Sequence, residues 1–131
     1  MPDFPVTVFH NPACGTSRKV LALIETAGHT PRIVHYLKTG WTKAQLEAVF
    51  ATMKVAPRDL LRAKEPLALE LGLTDLAAGG DKILAAMVAH PILVNRPIVQ
   101  TPLGVALCRP AETVMALIAP QKSALTPRNT I

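Results

Sequence analysis

Cys14 is the residue best placed to do chemistry in this chain of 131 residues. It stands in the stretch His10-Asn11-Pro12-Ala13-Cys14-Gly15-Thr16-Ser17-Arg18, between a strand-like pattern and a helix-like one. The first turn of a helix carries N–H groups with no partner in the helix and the positive end of the helix dipole. A thiol at that point has a lowered pKa and reacts as the thiolate. Asn11, Gly15 and Thr16 add small or polar groups, so the loop can wrap an oxyanion with backbone donors. His10 adds positive charge when protonated, and Arg18 lies on the helix face that Cys14 caps.

Spacing also excludes chemistry. A C-x-x-C oxidoreductase needs a second cysteine at position 17, which is Ser17, so Cys14 cannot close a local disulfide and requires an outside thiol. A C-x5-R phosphatase loop needs arginine at position 20, which is Val20. Arg62, Arg96 and Arg109 stand at element ends. Guanidinium groups grip tetrahedral oxyanions through paired hydrogen bonds at any working pH. Any one of the three alone is more often a solvated surface residue, and spacing alone leaves the set evenly balanced between the two readings. The other cysteine, Cys108, ends an apolar strand and reads as a buried, inert thiol.

Two cysteines are too few for a secreted disulfide framework and fit free thiols in a reducing cytoplasm. Four histidines show no metal-ligand spacing, and no glycine-rich nucleotide loop is present, so no metal and no bound cofactor are expected. The net charge of +5 suits an anionic ligand. The basic residues are scattered with few aromatics among them, which speaks against nucleic acid. The longest apolar run, residues 83–89, is too short for a membrane span, and the start lacks the pattern of a signal peptide.

Residues 5–9 predict a strand, Asn11-Pro12 a turn, and the apolar spacing from Thr16 through Val20, Leu21, Leu23 and Ile24 a helix stopped by Gly28. Residues 32–36 predict a second, parallel strand. Thr42-Lys43-Ala44-Gln45 has the form of a capping box, followed by Leu46, Val49, Phe50 and Met53 at helical spacing. Short helices are expected after Pro57, over 67–71 ending at Gly72, and over 81–89. Residues 97–100 and 105–108 predict a hairpin around Thr101-Pro102-Leu103-Gly104, and Pro110 opens a final helix with Val114, Leu117 and Ile118. Residues 120–131 read as a loose tail. The expectation is one α/β domain over 1–131 of thioredoxin-like fold. Its order is β-α-β, a helical insertion over about 42–90, then β-β-α on a mixed sheet.

Two long motifs and one shorter one carry a resemblance to a known family. The loop from His10 to Arg18 resembles the active-site loop of the glutaredoxin-linked, glutathione-dependent arsenate reductases, the ArsC-like group of the thioredoxin fold. So does His90-Pro91-Ile92-Leu93-Val94-Asn95-Arg96-Pro97-Ile98-Val99, with Thr101-Pro102-Leu103-Gly104 and Leu107-Cys108-Arg109-Pro110 beyond it. Leu60-Leu61-Arg62, Glu65-Pro66 and Leu71-Gly72-Leu73 match less closely, and residues 74–82 match poorly. The likeness covers about 5–120.

The resemblance implies an oxidoreductase of arsenical resistance that reduces arsenate to arsenite. Cys14 attacks arsenate, Arg62, Arg96 and Arg109 hold the oxyanion, and His10, Ser17 and Arg18 support the thiolate. Glutathione as co-substrate attacks the adduct, and a glutaredoxin partner takes over the mixed disulfide. It also implies a cis Arg96–Pro97 bond. Two other functions fit a thioredoxin fold. One is a regulatory protein similar to the Spx-like regulators, though these carry a C-x-x-C absent here. The other is a general glutathione-linked thiol transferase.

Overall fold

The computed structural model describes residues 4–118, so the expected tail over 120–131 lies outside the described residues. The chain divides into two compact units. One combines the segment up to Val34 with the segment from Arg96 onward; the other is His35–Asn95.

The first unit is built on a four-stranded sheet. Its strands are β1 (Thr7–Phe9), β2 (Arg32–Val34), β3 (Ile98–Thr101) and β4 (Gly104–Leu107), in the order β2-β1-β3-β4. β1 runs parallel to β2 and antiparallel to β3, with Val8 opposite both Ile33 and Val99. β3 and β4 form an antiparallel hairpin in which Thr101 pairs with Gly104. Gly104 takes φ of 145°, which favours glycine.

Helix α1 (Gly15–Thr26) makes the parallel crossover. It ends as the sequence predicts. The Gly28 N–H donates to the Glu25 carbonyl and the His29 N–H to the Ile24 carbonyl, with Gly28 at φ of 93°. That pair of bonds is a Schellman ending. Alternation on β1 and helical spacing on α1 bring Val6, Val8, Val20 and Ile24 into one core with Val99, Cys108, Val114 and Leu117. The mixed sheet and its helices are the architecture the sequence predicts, a thioredoxin-like fold.

Two expected elements differ. The second strand stops at Val34 instead of continuing to Tyr36, because Tyr36 opens a short helix, α2 (Tyr36–Thr39), in the other unit. There its ring is buried 5.8 Å from the ring of Trp41, and this packing outweighs the strand preference of tyrosine. The final helix is a 3-10 helix, Ala111–Ala116, with Pro110 just outside it. Its bonds are i→i+3, as from the Leu117 N–H to the Val114 carbonyl, and the Thr101 hydroxyl takes the Leu117 carbonyl at its end. The Arg96–Pro97 bond is cis, as expected, and so is Arg109–Pro110.

The second unit is helical. Helix α3 (Lys43–Met53) begins with the expected capping box: Gln45 N–H donates to Thr42 Oγ1 and Thr42 N–H to Gln45 Oε1. The 3-10 turn Pro57–Leu60, α4 (Pro66–Glu70), α5 (Gly80–Ala89) and the 3-10 turn Pro91–Leu93 follow. Leu46, Phe50, Leu60, Leu73, Ile83, Met87 and Leu93 are buried. Arg58, which no spacing singled out, donates to the carbonyls of Leu73, Asp75 and Ala78 at 3.4, 2.9 and 2.8 Å.

Candidate functional site

Strand β1 delivers the chain to His10, and α1 begins at Gly15, so four residues make the turn into Cys14. Cys14 is the N-cap of α1, with extended φ and ψ of −94° and 121°. A residue in that conformation folds its side chain back over the first helical amides. No side-chain hydrogen bond closes this cap, but the Ser17 and Thr16 amides beside the sulfur still favour its charged form.

The loop is held by its own bonds. Asn11 Oδ1 accepts from the Ala13 N–H at 2.9 Å, and the Asn11 carbonyl accepts from the Cys14 N–H at 3.0 Å. The Asn11 N–H donates to Ser17 Oγ at 3.1 Å. His10 Nδ1 lies 2.6 Å from the same Ser17 oxygen, and either group can donate. His10, Asn11 and Ser17 are all buried, an uncommon burial of polar side chains made affordable by these bonds. On the outside of the loop, Arg18 Nη1 donates to the Pro12 carbonyl at 2.8 Å.

Two arginines come from the far end of the chain. Arg109, following β4, donates from Nη1 to the Cys14 sulfur at 3.6 Å and to the Arg96 carbonyl at 3.2 Å. Arg96 precedes β3, and its charge acts on the sulfur. Burial pushes the Cys14 thiol up. The Ser17 amide, the Arg96 charge, the Arg109 hydrogen bond and the Thr16 amide together overcome that and hold it below the ordinary thiol value.

Cys108 differs in every respect. It is fully buried in the apolar core of this unit, and burial alone pushes its thiol up to about 12.

The sequence-predicted residues thus divide. The structure brings His10, Asn11, Gly15, Thr16, Ser17, Arg18, Arg96 and Arg109 around the Cys14 loop. Arg62 belongs to the helical unit, where it is half-buried. There its N–H donates to the Leu93 carbonyl, and Nη1 lies 3.6 Å from Glu65 Oε2. Sequence spacing missed the Lys19–Glu112 ion pair at 2.6 Å, which joins α1 to the 3-10 helix Ala111–Ala116. A basic residue on α1 and an acid in the first turn of the last helix are the only signals it left. Among the described residues, no group of three or more His, Cys, Asp or Glu side chains can hold a metal ion. No described helix is long and apolar enough to cross a membrane.

Comparison with known proteins finds relatives of this chain in sequence and in fold. The model of the ArsC family matches residues 9–117. An arsenate reductase of Synechocystis sp. is 51% identical over 90% of this chain and 82% of its own length. The arsenate reductase of Escherichia coli K12 is 46% identical over 86% of this chain and 80% of its own. Among solved structures, an arsenate reductase from Vibrio cholerae superposes with a TM-score of 0.84 at 35% identity, covering 88% of this chain and 98% of that one.

Proposed function

The chain belongs to the ArsC family, and from that premise we propose that it is an arsenate reductase whose nucleophile is the Cys14 thiolate. The observation that carries this is the sulfur itself. It is a buried thiol whose pKa two helix amides and two arginines hold below the ordinary value, with a guanidinium Nη1 3.6 Å from the sulfur.

Arsenate is a tetrahedral oxyanion. The thiolate attacks arsenic, a sulfur–arsenic bond forms, and an oxygen leaves as water after protonation. Arg109 and Arg96 neutralise charge on the remaining oxygens, and Arg62 joins them in this proposal on the strength of its motif. His10 and Ser17 keep the loop in the geometry that holds the thiolate, and Arg18 braces it from outside. Reduction of arsenic from the pentavalent to the trivalent state takes two electrons. Two thiols supply them and end as a disulfide. Position 17 is serine and Cys108 is sealed in the core, so the reducing thiols come from outside. Glutathione displaces a second arsenic oxygen as water. A glutaredoxin thiol takes the glutathione sulfur as a mixed disulfide and leaves that bonding pair on arsenic, and water then releases arsenite from the Cys14 sulfur. Such a thiol supply belongs to a reducing cytoplasm.

The test is NADPH consumption in a coupled assay with arsenate, glutathione, glutaredoxin and glutathione reductase. The expected result is turnover that needs arsenate, glutathione and Cys14 together. Turnover of small mixed disulfides with no need for arsenate would replace this function with general thiol transfer. Inactivity of the folded protein would favour a regulatory role.

A further inference from the structure

The amides of the Cys14 loop are a limited resource, and the structure shows where most of them go. The Ala13 and Cys14 N–H groups both bond to Asn11, one to its side chain and one to its carbonyl. The Thr16 and Ser17 N–H groups lie at the head of α1 and act on the Cys14 sulfur, lowering its pKa without a capping bond to it. The Arg18 N–H has entered the helix through the Cys14 carbonyl. Of the five N–H groups from Ala13 to Ser17, all but that of Gly15 therefore serve either the loop or the thiolate. A phosphate-cradling loop is built the other way, with its amides open toward the oxyanion.

Asn11 is the residue that produces this arrangement. It is buried, and it touches the loop three times: at Ala13, at Cys14 and, through its own N–H, at Ser17. The last contact fastens the start of the loop to the first turn of α1. The first two fix the chain direction entering Cys14, and so the extended conformation it takes at the head of α1. Two of these three bonds are main-chain bonds that any residue can make. The bond from the Ala13 N–H needs a side-chain acceptor two residues back, which an Asn supplies.

We propose that Asn11 is a positioning residue whose side-chain carbonyl, by holding the Ala13 amide, shapes a loop that serves the sulfur and leaves the oxyanion to arginine side chains. This rests on Cys14 being the working nucleophile. It reassigns the loop from oxyanion cradle to thiolate cradle, so the affinity for a tetrahedral oxyanion comes from Arg96 and Arg109.

The experiment reads thiolate and turnover separately. The rate of Cys14 alkylation by iodoacetamide is measured against pH for the parent, Asn11→Ala and Asn11→Ser, beside arsenate turnover. Loss of the acceptor raises the Cys14 midpoint by about one unit, lowering alkylation roughly tenfold at pH values below it. Asn11→Ser, which keeps a short local acceptor, recovers most of the shift. In Asn11→Ala turnover falls together with alkylation at neutral pH and rises with it as pH climbs through the raised midpoint.

An alkylation profile superimposable on the parent's would overturn the proposal, and lost turnover beside it would move Asn11 to the oxyanion. Hydrogen exchange in the unaltered protein decides the matter even if Asn11→Ala fails to fold. The Ala13 amide, on an exposed residue, exchanges slowly if Asn11 holds it, and exchange at the rate of a free amide would also overturn the proposal. Alkylation and exchange need no arsenate. A failure of the arsenate reaction with these results intact would therefore tell against the function and not against Asn11.

Discussion

Cys14 and Cys108 sit in the same unit and are both buried, at 8% and 0% exposure, yet their thiols are driven in opposite directions. Both lose water. At Cys14 that loss is outweighed by helix amides and guanidinium groups aimed at the sulfur. At Cys108 the surroundings are Val6, Val8, Val20 and their neighbours, and the thiol donates to the Ala106 carbonyl, an acceptor, 3.8 Å away. An acceptor favours the protonated thiol. Burial therefore does not decide the state of a cysteine. What the vacated water is replaced by decides it, and a neighbour in sequence does not: Cys108 adjoins Arg109, whose guanidinium reaches Cys14 instead.

The contrast can be broken most sharply by labelling. With its pKa near 12, Cys108 is thiolate to only about one part in 10⁵ at neutral pH. Iodoacetamide near pH 7 is expected to modify one cysteine in the native protein and two after denaturation, as read by mass spectrometry. Native labelling of both would dissolve the distinction. Next in size is Cys14→Ser, which is expected to cut turnover on the order of a thousandfold or more, because a serine hydroxyl stays protonated at neutral pH.

Smaller effects sharpen the role of the surroundings. Arg109→Lys is expected to lower kcat/KM about tenfold to a hundredfold and to move the Cys14 alkylation midpoint upward. A lysine keeps the charge but lacks the remaining guanidinium donors that would grip an oxyanion in pairs. Unchanged kinetics would mean that charge alone suffices. Because the Cys14 pKa is depressed, the sign is fixed: thiolate and reactivity are present above the lowered midpoint and fade as pH falls through it. Smallest of all, Cys108→Ala is expected to leave turnover within about twofold while costing about 1 kcal/mol in denaturant unfolding. A large loss of activity without a loss of stability would give Cys108 a chemical role.

Much of this could be read from the chain before any coordinates. β1, α1 with its ending at Gly28, the Thr42 capping box and the hairpin over Thr101–Gly104 each rest on contacts within a few residues, which spacing records. Cys14 was legible for the same reason, since its chemistry depends on the turn it occupies. The arginines were legible only as residue types, and the resemblance grouped them, because nothing local relates position 14 to position 109. Spacing could not separate an i→i+3 from an i→i+4 helix after Pro110, since both place Val114 and Leu117 inside. It missed α2 because a helix of four residues is too short to show an apolar period, and the Tyr36–Trp41 ring contact leaves no spacing signal. It also missed the use of the Asn11 carboxamide, because the type of an acceptor does not tell which donor it takes.

Arg58 offers a different kind of consequence. Its guanidinium fastens the segment after α4 by gripping the carbonyls of Leu73, Asp75 and Ala78. Every residue type has a carbonyl, so this fastening places no demand on which side chains the segment carries. The stretch over 74–82 is also the one that fits the family pattern least well. A main-chain grip of this sort lets spelling drift while the path of the chain stays fixed, which makes the segment a natural place to graft foreign side chains onto this fold.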